Sequence, residues 1–112
     1  MLKMIIRMND DKITHENKYN LEGIYKAIDN TFFNMGFHRA MNDSDYLVYC
    51  DNGNSRDYGL FGRIVNFLKK QTWFMENVSV WLLCDNEDTD NPTQFNQEDL
   101  LLHYRKKQAM GI

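Results

Sequence analysis

The chain has 112 residues, enough for one hydrophobic core and not for two. Its apolar fraction of 43% and aromatic content of 13% exclude a disordered chain. A formal net charge of −3 supplies no global field for nucleic acid, so any polyanion partner must be held by a local patch or a metal ion.

Residues 2–8 form a compact apolar run that reads as a first strand, with a charge inside it and no small-residue cleavage site of a signal peptide. Asn9-Asp10-Asp11 ends that run with turn formers, and residues 12–19 are polar and read as a loop. Asn20 then caps a helix whose apolar positions Leu21, Ile24, Tyr25, Ile28, Phe32 and Met35 recur at spacings of three and four. Gly36 closes it as the residue that turns left-handed at no steric cost. Two strand-prone runs, 37–41 and 46–50, flank the cluster Asn42-Asp43-Ser44-Asp45 and predict a hairpin.

Asp57 is the candidate cap of a second helix with Leu60, Phe61, Ile64, Val65 and Leu68 on its core face. Residues 73–77 make the return, and 78–84 form a fourth strand with Val78, Val80, Leu82 and Cys84 on one face and Trp81 and Leu83 on the other. An acidic stretch, 85–94, follows and is read as a solvated loop, since it lacks the glycine and closing glutamate of an EF-hand. Asn96 is the candidate cap of a third helix, over about 96–108, with Arg105, Lys106 and Lys107 in its last turn.

The element order β-α-β-β-α-β-α predicts an α+β fold, a ferredoxin-like βαββαβ sandwich with both helices on one sheet face and a C-terminal helix added. One domain spans 1–112, with its core in about 2–84. The opposite sheet face needs a cover, supplied by the third helix or a second subunit. No run approaches the roughly 20 apolar residues of a membrane span. Cys50 and Cys84 are too few for a disulfide framework and sit in apolar runs, so a cytoplasmic location is expected.

Phosphate-binding glycine loops, nucleophile elbows and paired-cysteine metal sites are absent. His15, His38 and His103 are scattered and read as surface or packing residues. Asn9-Asp10-Asp11 is the most informative cluster, because it lies where a central first strand leaves the sheet. Carboxylates there either make a turn or hold a hard cation that leaves water sites open for a phosphate. Arg39 and Arg56, by their hairpin and loop positions, are candidate phosphate clamps.

Gly36-Phe37, then Ser44-Asp45-Tyr46-Leu47-Val48-Tyr49, then Trp73-Phe74-Met75-Glu76-Asn77-Val78 resemble the virulence-associated protein D family, as does Tyr25-Lys26-Ala27-Ile28-Asp29 in the first helix. The match covers most of residues 4–83. The resemblance implies a ferredoxin-like homodimer, related in fold to the small endoribonuclease of CRISPR adaptation systems, that cleaves RNA as a toxin-module component. It implies a catalytic and metal-binding role for Asp10, with magnesium or manganese shared across the dimer, a phosphate or water contact for Ser44, and substrate contact for Tyr46.

Asn9 stands where the family has an aromatic residue, and Asp43 where it has glycine. Those departures and the acidic charge favour the alternative expectation, a non-catalytic dimeric regulatory or interaction domain with a protein partner such as an antitoxin.

Overall fold

The computed structural model describes residues 2–40, 46–85 and 96–109. Strand β1 (Leu2–Met8) alternates strictly, with Leu2, Met4, Ile6 and Met8 buried and Lys3, Ile5 and Arg7 on the other face. It lies at the centre of the sheet, antiparallel to β2 (Leu47–Cys50) on one side and β3 (Val78–Asp85) on the other. β4 (Asn96–Asp99) extends the sheet beyond β3, giving the order β2-β1-β3-β4. This is an α+β fold on a four-stranded antiparallel sheet, ending in a helix.

The two long helices form as their apolar spacing requires. α2 (Leu21–Phe33) starts where the Asn20 side chain accepts the Gly23 N–H at 2.8 Å, and it buries Ile24, Ile28 and Phe32. The chain leaves it through Gly36 at φ +90°, a conformation that strains any residue with a Cβ. α3 (Asp57–Leu68) buries Phe61, Ile64, Val65 and Leu68. Phe32 stacks on Tyr49 of β2 with ring centroids 3.6 Å apart and meets Phe61 edge-on at 6.1 Å, so one ring joins both helices to the sheet.

Five expectations are corrected. The turn expected at 9–11 and most of the loop expected at 12–19 are instead a short helix, α1 (Asp10–Glu16), because Asn9 caps it and Asn17 ends it in the left-handed region at φ 52°. The first arm of the predicted hairpin is not a strand: Phe37 turns into the core against Phe61 at 4.8 Å, and only Arg39 bridges to Tyr49.

Asp57 does not cap α3 from outside. It is the first helical residue, and its buried carboxylate accepts the N–H groups of Asn52 and Asn54, pinning the preceding loop. The last helix, α5 (Leu100–Ala109), begins four residues later than expected, because 96–99 pair with β3 and the Asp99 carboxylate accepts the Leu102 N–H. Val78 lies on the same face as Trp81, not with Val80: Ser79 is an extra residue in the β1–β3 register and reverses the alternation behind it.

The return from α3 contains a single helical turn, α4 (Thr72–Met75). Trp81 is fully buried against Phe74 at 5.0 Å and Tyr104 of α5 at 5.6 Å. α5 therefore packs on the face that carries α2 and α3 and is not the cover for the opposite face. That opposite face carries Ile5, Val48, Val80 and Leu82, all partly buried. No helix among the described residues is long and apolar enough to cross a membrane.

Among the described residues, the buried Trp81 indole N–H has no hydrogen-bond partner. An unpaired buried donor costs about 1–3 kcal/mol. Trp81→Phe, which deletes that donor, is expected to unfold in urea within about 1 kcal/mol of wild type, whereas Trp81→Ala is expected to lose about 3–5 kcal/mol. A loss for Trp81→Phe as large as for alanine would show that the indole nitrogen is bonded.

Candidate active site

Asp10 is placed by the way β1 ends. The Asn9 side chain accepts the Lys12 N–H at 3.1 Å, and the Asn9 N–H donates to the carbonyl of Asn77 at 2.7 Å. Asn77 is buried, with its side-chain nitrogen donating to the Trp73 carbonyl at 2.8 Å and its oxygen accepting the Lys12 ammonium at 3.0 Å. The first turn of α1 is thus fastened to the α4–β3 junction at two points, the Asn9 N–H and the Lys12 ammonium, and Asp10 is carried on a fixed element.

The Asp10 carboxylate accepts a hydrogen bond from the Tyr25 hydroxyl of α2. Partial burial, reinforced by that carboxylate, holds the Tyr25 phenol well above its ordinary range. Tyr25 is therefore a fixed donor to Asp10 at neutral pH, leaving the second carboxylate oxygen for other chemistry. Arg7, on the sheet face opposite the core, places its guanidinium 5.5 Å from the centre of the Tyr46 ring.

Arg39 approaches from the residual bridge to β2, its guanidinium 3.8 Å from the Asp29 carboxylate. Asp29 also accepts the Tyr49 hydroxyl, so α2 and β2 together orient Arg39. Ile6, Arg7, Asp10, Tyr25, Arg39 and Tyr46, with Leu47, line one open pocket of about 260 Å³. Two guanidinium groups, one carboxylate and two phenols converge there from four separate parts of the chain.

Tyr49 is almost fully buried, and burial first, then the hydrogen bond to Asp29, raises its hydroxyl above the ordinary tyrosine value of 10.0. The folded chain keeps this proton where the unfolded chain has released it. Stability is then flat below about pH 10 and falls above it. Urea midpoints measured across that boundary should show the decline, and Tyr49→Phe should reduce its slope. An unchanged slope in the variant would mean that Tyr49 titrates alike in both states.

Three of the residues singled out from sequence, Asp10, Arg39 and Tyr46, meet in this pocket. Ser44 lies outside the described residues. Arg56 stands exposed immediately before α3 and does not line the pocket. Arg7, Tyr25 and Asp29 were not anticipated as site residues. The available signal was the pairing of Tyr25 with Asp29 one helical turn apart, two polar tips on a helix whose neighbouring face is apolar.

Among the described residues no group of three or more histidine, cysteine, aspartate or glutamate side chains is gathered to hold a metal ion. One Asp10 carboxylate oxygen is engaged by Tyr25, and the described residues do not supply the remaining donors of a hard divalent cation. His38 packs edge-on to Phe33 and His103 to Tyr104. Cys50 and Cys84 are free thiols, and burial pushes the Cys84 thiol above its usual range. No protein-family model, no curated protein and no solved structure matches the chain.

Proposed function

We propose that the chain is an endoribonuclease of the toxin-module kind, with Asp10 at the centre of its site. The observation that carries this reading is the convergence of Arg7, Asp10, Tyr25, Arg39 and Tyr46 in one open pocket. Two guanidinium groups suit the two free oxygens of a phosphodiester, an aromatic ring beside them suits a base, and a carboxylate suits a proton acceptor. In this mechanism Arg7 and Arg39 hold the phosphate while Asp10 takes the proton from the attacking hydroxyl. The new P–O bond forms at that oxygen, and the bond to the leaving oxygen breaks, its electron pair staying on that oxygen, which takes a proton from water. Tyr25 holds Asp10 in place.

The ferredoxin-like description belongs to the same proposal. It is supported by the central first strand and by the Arg39–Tyr49 bridge, which sets a remnant of the missing strand outside β2, where a split β-α-β sheet has it. β4 is then an addition at the far edge. Resemblance to the virulence-associated protein D family fits this arrangement.

Magnesium or manganese would be held only in a homodimer, in which a second copy's Asp10 would add to the donor set and the ion would supply charge stabilisation at the phosphate. Free thiols and an acidic surface are consistent with a cytoplasmic protein.

A charge-assisted hydrogen bond contributes about 1.5–3 kcal/mol. Arg39→Gln is therefore expected to raise KM for an RNA substrate about tenfold or more, with kcat much less affected. An unchanged KM would remove Arg39 from the site. The partly buried apolar face of Ile5, Val48, Val80 and Leu82 favours a second reading, a non-catalytic dimeric domain that binds a regulator or antitoxin. RNA cleavage by the purified protein separates the two.

A further inference from the structure

A second cleft, of about 440 Å³, opens where the end of α3, the single turn α4 and α5 meet. Its walls carry three cations, Lys69, Lys70 and Arg105, with the polar side chains of Gln71 and Thr72 and one carboxylate, Glu76. On a chain of net charge −3 this concentration is unexpected. The negative end of α3 accounts for cations at Lys69 and Lys70. It does not account for Arg105, which a different helix brings to the same place.

Among the described residues none of the three cations forms an ion pair. Lys69 lies over the Tyr104 ring, its nitrogen 5.3 Å from the ring centre. Arg105 donates one N–H to the Val78 carbonyl at 3.1 Å, which fixes its guanidinium, and among the described residues no other hydrogen bond or ion pair takes up its remaining donors. Glu76, the one carboxylate of the cleft, is paired with Lys18 of the α1–α2 connection at 3.3 Å. Among the described residues no ion pair or hydrogen bond occupies the Lys70 ammonium. Three like charges converge on an open concavity whose counter-charge is already engaged, and a group with several acceptor oxygens meets that geometry best.

We propose that this cleft is a phosphate-binding site, separate from the Asp10 pocket, that takes the phosphate of a nucleic-acid strand or of a small phosphorylated ligand. Assignment to a strand rests on the ribonuclease reading; assignment to phosphate does not. Glu76 is the chain neighbour of Asn77, whose carbonyl holds the Asn9 N–H, so the cleft and the start of α1 share one structural junction.

The test uses the full chain carrying Asp10→Asn, so that no strand is cut, alone and combined with Lys69→Gln and Lys70→Gln or with Glu76→Gln. Inorganic phosphate is titrated while the amide resonances of Gln71 and Thr72 are followed, and a labelled single-stranded oligoribonucleotide is titrated at several salt concentrations. Phosphate should shift those amides, and the double lysine variant should abolish the shift while keeping a folded spectrum. Strand binding through the cleft should lose about 1.4 from its slope of log affinity against log salt when both lysines are replaced, at about 0.7 per contact.

Glu76→Gln should tighten both ligands. A phosphate shift without any effect of the lysines on strand binding would assign the cleft to a small phosphorylated ligand. Absence of a phosphate shift, with strand affinity unchanged in the lysine and Glu76 variants, would overturn the proposal. Cleavage by wild type that requires Asp10, together with no phosphate shift, would leave the ribonuclease standing without this site, and phosphate binding with no cleavage would leave the reverse.

Discussion

Phe32→Ala is expected to destabilise the protein by about 3–5 kcal/mol, the range for deleting a fully buried aromatic ring. A domain of this size is typically stable by only about 5–15 kcal/mol, so the variant should melt at least about 10 °C below wild type. The reason is position as well as size. Phe32 is fully buried, lies flat on Tyr49 with an interplanar angle of 1°, and meets Phe61 edge-on, so α2, β2 and α3 all lose a partner at once. Tyr49 in turn donates to Asp29, which faces Arg39, so the cavity opens beneath one wall of the pocket. Thermal denaturation followed by circular dichroism measures the effect. A melting temperature within a few degrees of wild type would show that the three elements do not share one core.

The second large effect is on activity. Asp10→Asn keeps the shape of the side chain and an oxygen for the Tyr25 hydroxyl, but it removes the group that takes a proton in the proposed mechanism. General-base catalysis contributes about 10²–10⁴-fold, and kcat for RNA cleavage should fall by that factor with melting temperature nearly unchanged. Tyr25→Phe should fall less, because it leaves the carboxylate and removes only its orienting donor. An Asp10→Asn protein as active as wild type would move the chemistry elsewhere. A Tyr25→Phe loss as large as that of Asp10→Asn would give Tyr25 a direct role in proton transfer.

The parts of the fold that sequence reveals are those where one apolar period is strong. Strand β1, helix α2 and the core face of α3 follow from alternation or from threes and fours, and the central place of the first strand follows from their order. Helix α1 escapes such reading because Ile13 is its one buried residue; caps at Asn9 and Asn17 make it, not a hydrophobic stripe. The start of α5 is misplaced at Asn96 because an asparagine is a good cap, whereas pairing of 96–99 with β3 moves the cap to Asp99. The Ser79 bulge leaves no mark in composition, yet it turns Val78 to the core face.

The candidate site divides in the same way. Asp10 is legible because two aspartates follow the first strand after a single asparagine. Arg7 and Tyr25 are not, since one is an ordinary exposed strand residue and the other reads as part of an apolar helix face. They meet Asp10 only because α1 folds back at Asn9 and brings the carboxylate alongside α2. Arg56 fails to join them because the loop before α3 is held by Asp57 at a different place.

The most direct test of the ribonuclease reading is to incubate the purified wild-type chain and Asp10→Asn with a mixed pool of RNA, in magnesium, in manganese and in chelator, and to resolve the products on a gel. Cutting by the wild type that vanishes in a folded Asp10→Asn is the predicted result, and dependence on metal would add the shared-ion homodimer to it. Intact RNA under all three conditions would contradict the account and leave the dimeric interaction domain as the better description.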